Sequence, residues 1–597
     1  MSTDLDQVGT EEVAKQRPQR PQSRSPVRRL ASRGLDSWPT MLATTALLLM
    51  VTVPLAFLIL QSFREGPPAL PEGWTLDNYR EAASSRLWEA LGNTLLVAVV
   101  GTSFSMFFAI LFAWLIERTN LPLRNVAWAI MLLPVAIPSI LFVLSWTVLL
   151  QPRAGLINVV LRDVLPFLGA ETGPINIYGL GGVIFLDSIR GVTTVFLMLV
   201  AAFRMFDPAL EEAARVGGLN VLQILRRVTI PAILPAIAAA GMYSFISSLD
   251  QFEAALAVGL PGGEFLLTTL IFFAVQMRVP INYGLGAVYS IGFMLVMLLM
   301  LVTYRRIVRQ TARFATVTGK GYRPARIDLG KWRWPAFALV ALFGLFTIVL
   351  PIWTMVWLSL RPIFSRIALG TGQALTLDNY RELWESGAIQ RLGVNTITMT
   401  VATATLTMVL CFVVSWVIVR GRNRRMSGFV DALTFMPYAF PGITIALAFV
   451  VIFLSWPLRT TGIYGTITIV VLALVAQYVA FGTRLMNGAV TQIKVELEEA
   501  CRIGGARQMA TMLRITLPLL APAVVAGWVW VAANAMRTFS VPAILASRNN
   551  AVFASEIWEL WETGQFPLAA ACGTVLVVIL LPVTVLMRRM LTRISPN

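Results

Sequence analysis

The stretch that decides the fold occurs twice in the chain. Residues 211–218 read EEAARVGG and residues 228–231 read VTIP; residues 498–505 read EEACRIGG and residues 515–518 read ITLP. In each copy, nineteen positions separate the second Glu from the Pro. Glu and Ala favour a helix, the Gly pair ends it because Gly readily adopts positive φ, and Pro suits the first turn of the next helix. Each copy therefore predicts a short helix, a Gly turn, a further helical stretch that ends before the Pro, and a membrane helix with the Pro in its first turn.

Shorter repeats extend this duplication along the chain. They are LDNYRE at residues 76–81 and 377–382, Asn93-Thr94 and Asn395-Thr396, and the proline pairs Pro134/Pro138 and Pro437/Pro441. Their offsets are 301, 302 and 303, which is a nearly gapless register. The two halves of the chain are therefore predicted to be homologous.

The composition indicates that most of the chain is surrounded by lipid. The 597 residues are 57% hydrophobic and 13% charged, with a mean hydropathy of +0.73, whereas roughly a quarter of the residues of a soluble domain are charged. Apolar runs of about 20 residues can span a bilayer. We predict an all-α polytopic membrane protein of about twelve transmembrane helices, in two six-helix units related as a parallel repeat. The predicted spans are 41–62, 92–116, 127–150, 180–203, 232–254 and 284–304, then 336–359, 393–419, 430–455, 464–485, 518–540 and 567–588.

The net charge of +17 is concentrated in the loops between alternate spans. Because cytoplasmic loops carry an excess of Lys and Arg, both termini are predicted to be cytoplasmic, and this placement excludes nucleic acid as the partner. The predicted parts are a disordered basic cytoplasmic tail (1–40), the first unit (41–304) with its motif loop (207–231), a cytoplasmic linker (305–335), the second unit (336–590) with its motif loop (494–518), and a C-terminal tail (591–597).

Residue types that carry catalysis are scarce. The chain has three Cys at wide spacing and no His, so neither a disulfide framework nor a zinc site is indicated, and most acid–base designs are missing. Gly319-Lys320 lacks the upstream Gly and the following Ser or Thr of a phosphate-binding loop. We therefore expect no enzyme activity, no cofactor and no nucleotide site in this chain.

The duplicated stretch resembles the EAA loop of binding-protein-dependent ABC importer permeases, EAA-x3-G-x9-I-x-L-P. The second copy departs from it only in having Cys for the second Ala, and the first has Val228 and Ile230 as aliphatic substitutes. The resemblance implies a type I importer permease in which each loop forms a coupling helix on a separate ATPase, present as two copies, while an extracytoplasmic binding protein delivers the solute. The residues that it assigns to coupling are Glu212, Ala213, Ala214, Gly218 and Pro231, and then Glu499, Ala500, Cys501, Gly505 and Pro518.

The fused double form, with the linker residues 316–324, is similar to iron(III) transport permeases, whose relatives carry thiamine, phosphonate, phosphosugar or polyamine. Iron(III) is therefore the expected solute, and a small organic ion is the alternative. An ion-gradient-driven secondary transporter also has twelve spans in two halves, but it has no need of a duplicated EAA loop.

Charged residues inside spans are candidates for the solute passage. Asp250 and Arg537 each lie nineteen residues after the motif Pro of their own half, so they occupy equivalent positions with opposite charge. We predict that they pair as a gate or flank the passage; the alternative is that both are solvated at the outer interface. The other candidates are Glu253, Asn534, Pro138 and Pro441, and the repeated prolines are expected to kink or unwind the third span of each half.

Overall fold

A computed structural model of the protein describes residues 38–84, 86–164, 173–311, 327–364, 375–421, 423–505 and 508–594. The predicted N-terminal tail up to residue 37, linker residues 312–326 and residues 595–597 lie outside these ranges. The described part is helical apart from turns, an isolated bridge and one antiparallel pair, β1 (Arg64–Glu65) and β2 (Gly73–Trp74).

The first half contributes twelve helices to the described chain. They are α1 (Pro39–Ser62), α2 (Asp77–Ser84), α3 (Leu87–Arg118), α4 (Arg124–Ala136), α5 (Ser139–Leu150), α6 (Leu156–Val164), α7 (Leu180–Met205), α8 (Pro208–Val216), α9 (Val221–Leu249), α10 (Ala255–Gly262), α11 (Leu267–Met277) and α12 (Tyr283–Thr311).

The second half repeats this order. Its helices are α13 (Gly330–Ser359), α14 (Asp378–Glu385), α15 (Ala388–Arg420), α16 (Arg424–Ala439), α17 (Gly442–Leu454), the short 3₁₀ turn Leu458–Thr461, α18 (Ile467–Gln492), α19 (Val495–Ile503), α20 (Met509–Arg537), α21 (Pro542–Leu545), α22 (Phe553–Glu562) and α23 (Phe566–Ile594).

Within the described ranges, nine helices are long and apolar enough to cross a membrane. Three further pairs pass the same test together but bend by more than 40°. Helix is the structure expected across lipid, because it satisfies its own backbone hydrogen bonds. The predicted all-α polytopic membrane fold in two related units is confirmed.

Both predicted third spans are broken. Helices α4 and α5 meet at 100°, and α16 and α17 meet at 107°. Pro138 and Pro441 are the residues directly before the second helix of each pair. Pro fixes its own φ and disfavours helix in the residue before it, and that residue is extended in both halves. Each proline therefore marks a break of about a right angle.

The prediction was wrong about the segment after the fifth span. The fifth span was expected to reach residue 254, but α9 ends at Leu249, and α10 and α11 follow as a pair bent by 85°. Pro261 and the positive φ of Gly263 interrupt this apolar run. Each piece is too short to span a bilayer alone, which is why a search for uninterrupted runs misses it. In the second half, α20 ends at Arg537 rather than residue 540, and α21 and α22 occupy the expected outward loop.

The two halves interlock through their first spans. Helix α1 packs against α17 of the second half, and α13 packs against α5 of the first half. All residues of α5 are buried, as are all of α17 except its last. These two half-span helices are therefore deeply buried, each covered in part by the first span of the opposite half.

The LDNYRE repeat caps the end of each first span. Asn78 Nδ2 donates to the carbonyl oxygens of Ser62 (3.1 Å) and Arg64 (3.0 Å), and Tyr79 Oη lies 2.7 Å from Ser62 Oγ. In the second half, Asn379 Nδ2 donates to Ser359 O and Arg361 O, both at 2.8 Å. The last carbonyls of a helix have no partner within the helix, so the repeated Asn supplies one.

The Asn-Thr repeat holds the segment after each fifth span. Asn93 Nδ2 donates to Phe265 O (3.1 Å), and Thr94 Oγ1 accepts from Leu267 N (2.9 Å) at the start of α11. The equivalent Asn395 and Thr396 make the same contacts with Ala551 O (2.9 Å) and Phe553 N (3.2 Å) at α22. These repeated residues therefore fix the scaffold.

The described end of the linker is bound to the first half. Ile327 N donates to Arg118 O (2.9 Å), and Asn120 N donates to Ile327 O (3.0 Å). Ile327 is 2% exposed. Hydrogen bonds from Gly330 N–H and from Asn120 hold the pKa of Asp328 below its ordinary value. The segment that leads into α13 thus adds a short strand-like edge to the loop after α3.

We expect Asn379→Ala to destabilise the chain, because it leaves two carbonyls at the end of α13 without their donor. The cost is about 1–3 kcal/mol for buried polar groups left unpaired, and it is measured as a lower midpoint of thermal aggregation in detergent. The control is Asp378→Ala, whose ion pair with Arg381 is long (4.0 Å) and exposed and is expected to contribute little. Equal midpoints for the two variants would contradict the capping role of Asn379.

Candidate functional site

Each copy of the motif forms a short helix that ends at the Gly pair. In the first copy, Asp207 Oδ1 accepts from Ala209 N (2.9 Å) at the start of α8. At its end, Gly218 has φ +82°, and Leu219 N donates to Ala214 O (3.1 Å). This is the left-handed glycine cap that ends many helices. In the second copy, α19 ends at Ile503 and Gly505 has φ +85°.

The first Glu of the first copy is an internal anchor. Glu211 is 3% exposed. Arg118 at the end of α3 donates to both of its oxygens, at 3.3 and 2.7 Å, and Thr229 Oγ1 donates to Oε1 at 2.7 Å. The planar guanidinium matches a carboxylate in this two-point geometry. Glu211 therefore ties α8 to the second span and to the fifth span together.

The second copy repeats this anchor with weaker geometry. Glu498 is 3% exposed, Arg420 Nε donates to its Oε1 at 3.2 Å, and Thr516 Oγ1 lies 3.5 Å from the same oxygen. Arg420 directs its other donor to the carbonyl oxygens of Val490 and Ile493. Equivalent residues therefore connect α19 to the second and fifth spans, but only one of the hydrogen bonds from Arg420 goes to the carboxylate.

The residues predicted for coupling lie mainly on the surface of these two loops. Glu212, Ala213, Gly218 and Pro231 are exposed, as are Glu499, Ala500, Gly505 and Pro518, while Ala214 and Cys501 are half-buried. Two large apolar side chains at equivalent positions are almost fully exposed: Val216 is 90% exposed and Ile503 is 88% exposed. Each loop thus presents a helix end with an uncovered apolar side chain.

The helical stretch expected before each motif Pro is present, and the Pro lies in the first turn of the α-helical segment that follows, but the stretch does not end before the Pro. Helix α9 runs without a break from Val221 through Pro231, and α20 runs from Met509 through Pro518. A wide π-helical turn precedes each Pro, at Leu225–Thr229 and at Met512–Thr516. Pro within a helix clashes with the carbonyl four residues earlier, and a π turn changes that spacing. The fifth span therefore extends continuously to the motif loop.

Asp250 and Arg537 come to the middle of the molecule but do not form an ion pair among the described contacts. Arg537 Nη1 donates to Val135 O at the break between α4 and α5, and Nη2 donates to Asn534 Oδ1 (2.7 Å). The carboxyl group of Asp250 lies close to the backbone N–H of Gly442, the first residue of α17. Each of the two residues thus lies beside the broken third span of the opposite half.

Glu253 lies at the break between α4 and α5, which belongs to its own half. Ser139 Oγ, on the first residue of α5, donates to Glu253 Oε1 at 2.8 Å. Pro138 and Pro441 are buried directly before these helix starts. The structure therefore brings Glu253, Pro138 and Arg537 to one break and Asp250 and Pro441 to the other.

The sequence analysis did not identify several charged residues at the passage candidates and in the motif loops. Asp187 (8% exposed) accepts from Ser248 Oγ at 2.6 Å, and Arg190 lies within electrostatic range of Asp187, Glu253 and Arg537. Two charges three residues apart in the apolar run of α7 were the available indication. For the anchors, the indication was the acidic first residue of each EE pair, with an Arg ending each second span. No group of three or more Cys, Asp or Glu within the described chain is placed to hold a metal ion.

Comparison with known proteins gives the family. The profile of the family described as "Binding-protein-dependent transport system inner membrane component" matches residues 105–313 and 417–597, more than half of the chain. The ferric transport system permease protein FbpB of Actinobacillus pleuropneumoniae is 24% identical over 557 residues, which cover 89% of this chain and 75% of FbpB. The protein of Salmonella typhimurium named "Putative 2-aminoethylphosphonate transport system permease protein PhnU" is 26% identical over 238 residues, covering 39% of this chain and 80% of PhnU.

A solved structure, that of a bacterial ABC transporter involved in the import of the acidic polysaccharide alginate, superposes with a TM-score of 0.36 and 17% identity. It covers 44% of this chain and 97% of the matched chain. The two profile matches each contain one copy of the anchored motif helix. The chain therefore belongs to the family of binding-protein-dependent transport system inner membrane components, as an ABC importer permease with two family units in one polypeptide.

Proposed function

We propose that this chain is the permease of an importer that takes up iron(III), delivered by an extracytoplasmic binding protein and driven by two copies of a separate ATPase. The observation that carries the solute is the similarity to FbpB, which extends over 89% of the chain. In this proposal the motif loops and both termini face the cytoplasm. ATP is bound by the ATPase, and no cofactor is assigned to this chain.

The coupling role rests on two contrasting properties of the motif helices. The buried Glu211 and Glu498 fix each helix to the second and fifth spans, so the helix moves together with them. The neighbouring Glu212 and Glu499, with Val216 and Ile503, are exposed. Uncovered apolar side chains at both equivalent sites favour docking to a protein surface. We assign these exposed residues to the ATPase contact.

The choice of solute rests on the passage candidates as well as on the relatives. Asp250 and Glu253 provide carboxylate oxygens near the centre of the molecule, and Asp250 Oδ1 is buried without a partner in the described chain. Hard cations prefer such oxygens. The relative PhnU supports the alternative of a small organic ion, although it matches only 39% of the chain. We place Asp250, Glu253, Asn534 and Arg537 along the passage.

The first experiment identifies the partner. The chain is purified in detergent from its native membrane, and the proteins that accompany it are identified by mass spectrometry. We expect an ATPase with a phosphate-binding loop. If the chain purifies alone and moves solute on an ion gradient without ATP, the ATP-driven assignment is wrong and a secondary transporter takes its place.

Substitutions at two adjacent glutamates distinguish a role in ATPase coupling from a role in folding. Glu212→Lys changes an exposed side chain, so we expect normal thermal stability and a loss of about tenfold in ATPase affinity, as for a contact of about 1.4 kcal/mol. Glu211→Gln leaves Arg118 buried without its carboxylate, which costs about 3–5 kcal/mol, and the thermal midpoint falls. The stoichiometry of bound ATPase and the midpoint are measured for both variants.

The control for this pair is Glu385→Lys, an exposed Glu at the end of α14, in a loop assigned to the other side of the membrane. It should change neither ATPase binding nor stability. If Glu212→Lys binds and couples the ATPase as the unaltered chain does, the assignment of the motif helices to coupling is wrong.

Uptake into proteoliposomes tests the solute. The complex with its ATPase and binding protein is expected to accumulate radioactive iron(III) in an ATP-dependent manner, with no competition from 2-aminoethylphosphonate. Accumulation of the phosphonate instead, with no iron uptake, would replace the iron assignment and leave the importer assignment in place.

A further inference from the structure

Two aromatic rings close the centre of the molecule. Residues 250–253 read DQFE and the equivalent residues 537–540 read RTFS, each at the end of the fifth span of its half. Phe252 and Phe539 stack on each other, with ring centroids 5.6 Å apart and planes at 15°. They are 1% and 0% exposed. Equivalent residues that touch each other must lie on either side of the pseudo-two-fold axis, so this pair fills the axis at that level.

Each of these rings is supported from behind by its own half. Phe272 of α11 lies 5.5 Å from Phe252, and Trp558 of α22 lies 6.0 Å from Phe539. Phe272 and Trp558 occupy equivalent positions, since each is the sixth residue of its helix. The Asn-Thr repeat described above fixes the start of both helices. The supports therefore belong to the static scaffold.

The residue two positions before each ring reaches across to the other half. Asp250 lies close to the N–H of Gly442, and Arg537 donates to Val135 O. A broken helix offers both polarities at one place, because the last carbonyls of the first piece and the first N–H groups of the second piece lack partners. A carboxylate suits the N–H end and a guanidinium suits the carbonyl end. Asp250 and Arg537 can therefore each bind a break in the opposite half without pairing with each other.

We propose that the stacked pair Phe252–Phe539 is the gate of the solute passage, and that Asp250 and Arg537 are two latches of opposite charge that hold it shut. Each latch joins the fifth span of one half to the broken third span of the other. This proposal rests on the permease function but not on iron(III) as the solute.

The latches stand at the far ends of the helices that begin at the motif loops. Helices α9 and α20 have 29 residues each, which at 1.5 Å per residue is about 43 Å. Movement of a motif helix is carried along this length, because Glu211 and Glu498 fix it to the start of the span. Separation of the motif helices therefore pulls both latches off the opposing breaks at the same time.

The test measures leak through the resting chain. The full chain, purified with the ATPase that accompanies it, is placed in liposomes without ATP, and efflux of trapped Rb⁺ and Cl⁻ is recorded. Phe252→Ala/Phe539→Ala, Asp250→Ala and Arg537→Ala are expected to raise the leak about tenfold or more, since a hydrogen bond to a charged group shifts an equilibrium by at least that factor.

Conservative variants distinguish latches from a direct ion pair. The side-chain oxygen of Asn at 250 can take the place of the carboxylate beside Gly442 N–H, and Gln at 537 can still donate to Val135 O. Asp250→Asn and Arg537→Gln should therefore leak less than the matching Ala variants, because a neutral side chain keeps part of the polar contact that Ala loses entirely. A direct ion pair would be lost equally in Asn and Ala. Size-exclusion profiles and bound ATPase confirm that each variant is folded.

An exchange of charges gives an independent check. In Asp250→Arg/Arg537→Asp, each new side chain faces a break that also offers the other polarity, so the double variant and both single variants are expected to be about as tight as the unaltered chain. With a direct ion pair, the single variants would leak and the double variant would be restored. Alanine variants that are folded and as tight as the unaltered chain would overturn the gate, and so would Asn and Gln variants that leak as much as Ala. The importer assignment would survive that result, because it depends on ATPase binding and ATP-driven uptake.

Discussion

The third span of each half is broken inside the protein, and the rest of the structure depends on satisfying the backbone groups at these two breaks. Lipid offers no hydrogen bonds, so the free backbone groups at each break need partners from the protein itself. Here the breaks precede α5 and α17, the most buried helices of the two halves. At the first break, Arg537 donates to the backbone carbonyl of Val135, and the side chain of Ser139 donates to Glu253. The breaks therefore bring together residues of both halves that are far apart in the chain.

The same segments connect the centre to the cytoplasmic loops. The π-helical turns let each fifth span continue through its Pro to the motif loop, and a buried carboxylate joins the motif helix to the second span. The tie is tighter in the first half, where Arg118 is 2% exposed and binds both oxygens of Glu211. The first half also binds the end of the linker at Ile327. Related sequences have thus produced unequal halves, which suits a passage lined by different side chains on each side.

Much of the fold could be predicted because its causes are local. Long apolar runs, basic loops and repeats at nearly constant offset indicated a duplicated polytopic helical protein, and the prolines marked both breaks. The segments after the fifth spans could not be predicted, because Pro261 and Gly263 divide an apolar run into pieces shorter than a bilayer. The role of the repeats was also hidden: the partners of Asn93 and Thr94 lie more than 170 residues away.

The sequence by itself determined the solvent, the duplication, the family motif and the residue types available to a passage, since composition and short-range pattern govern these. Only the tertiary structure decided which charges meet. Asp250 and Arg537 have opposite charges at equivalent positions, and pairing with each other was the simplest expectation. In the fold, each reaches a break in the other half instead. An unsatisfied backbone group in a dry interior is a strong partner for a charge, and only the packing of the two halves shows where such a group lies.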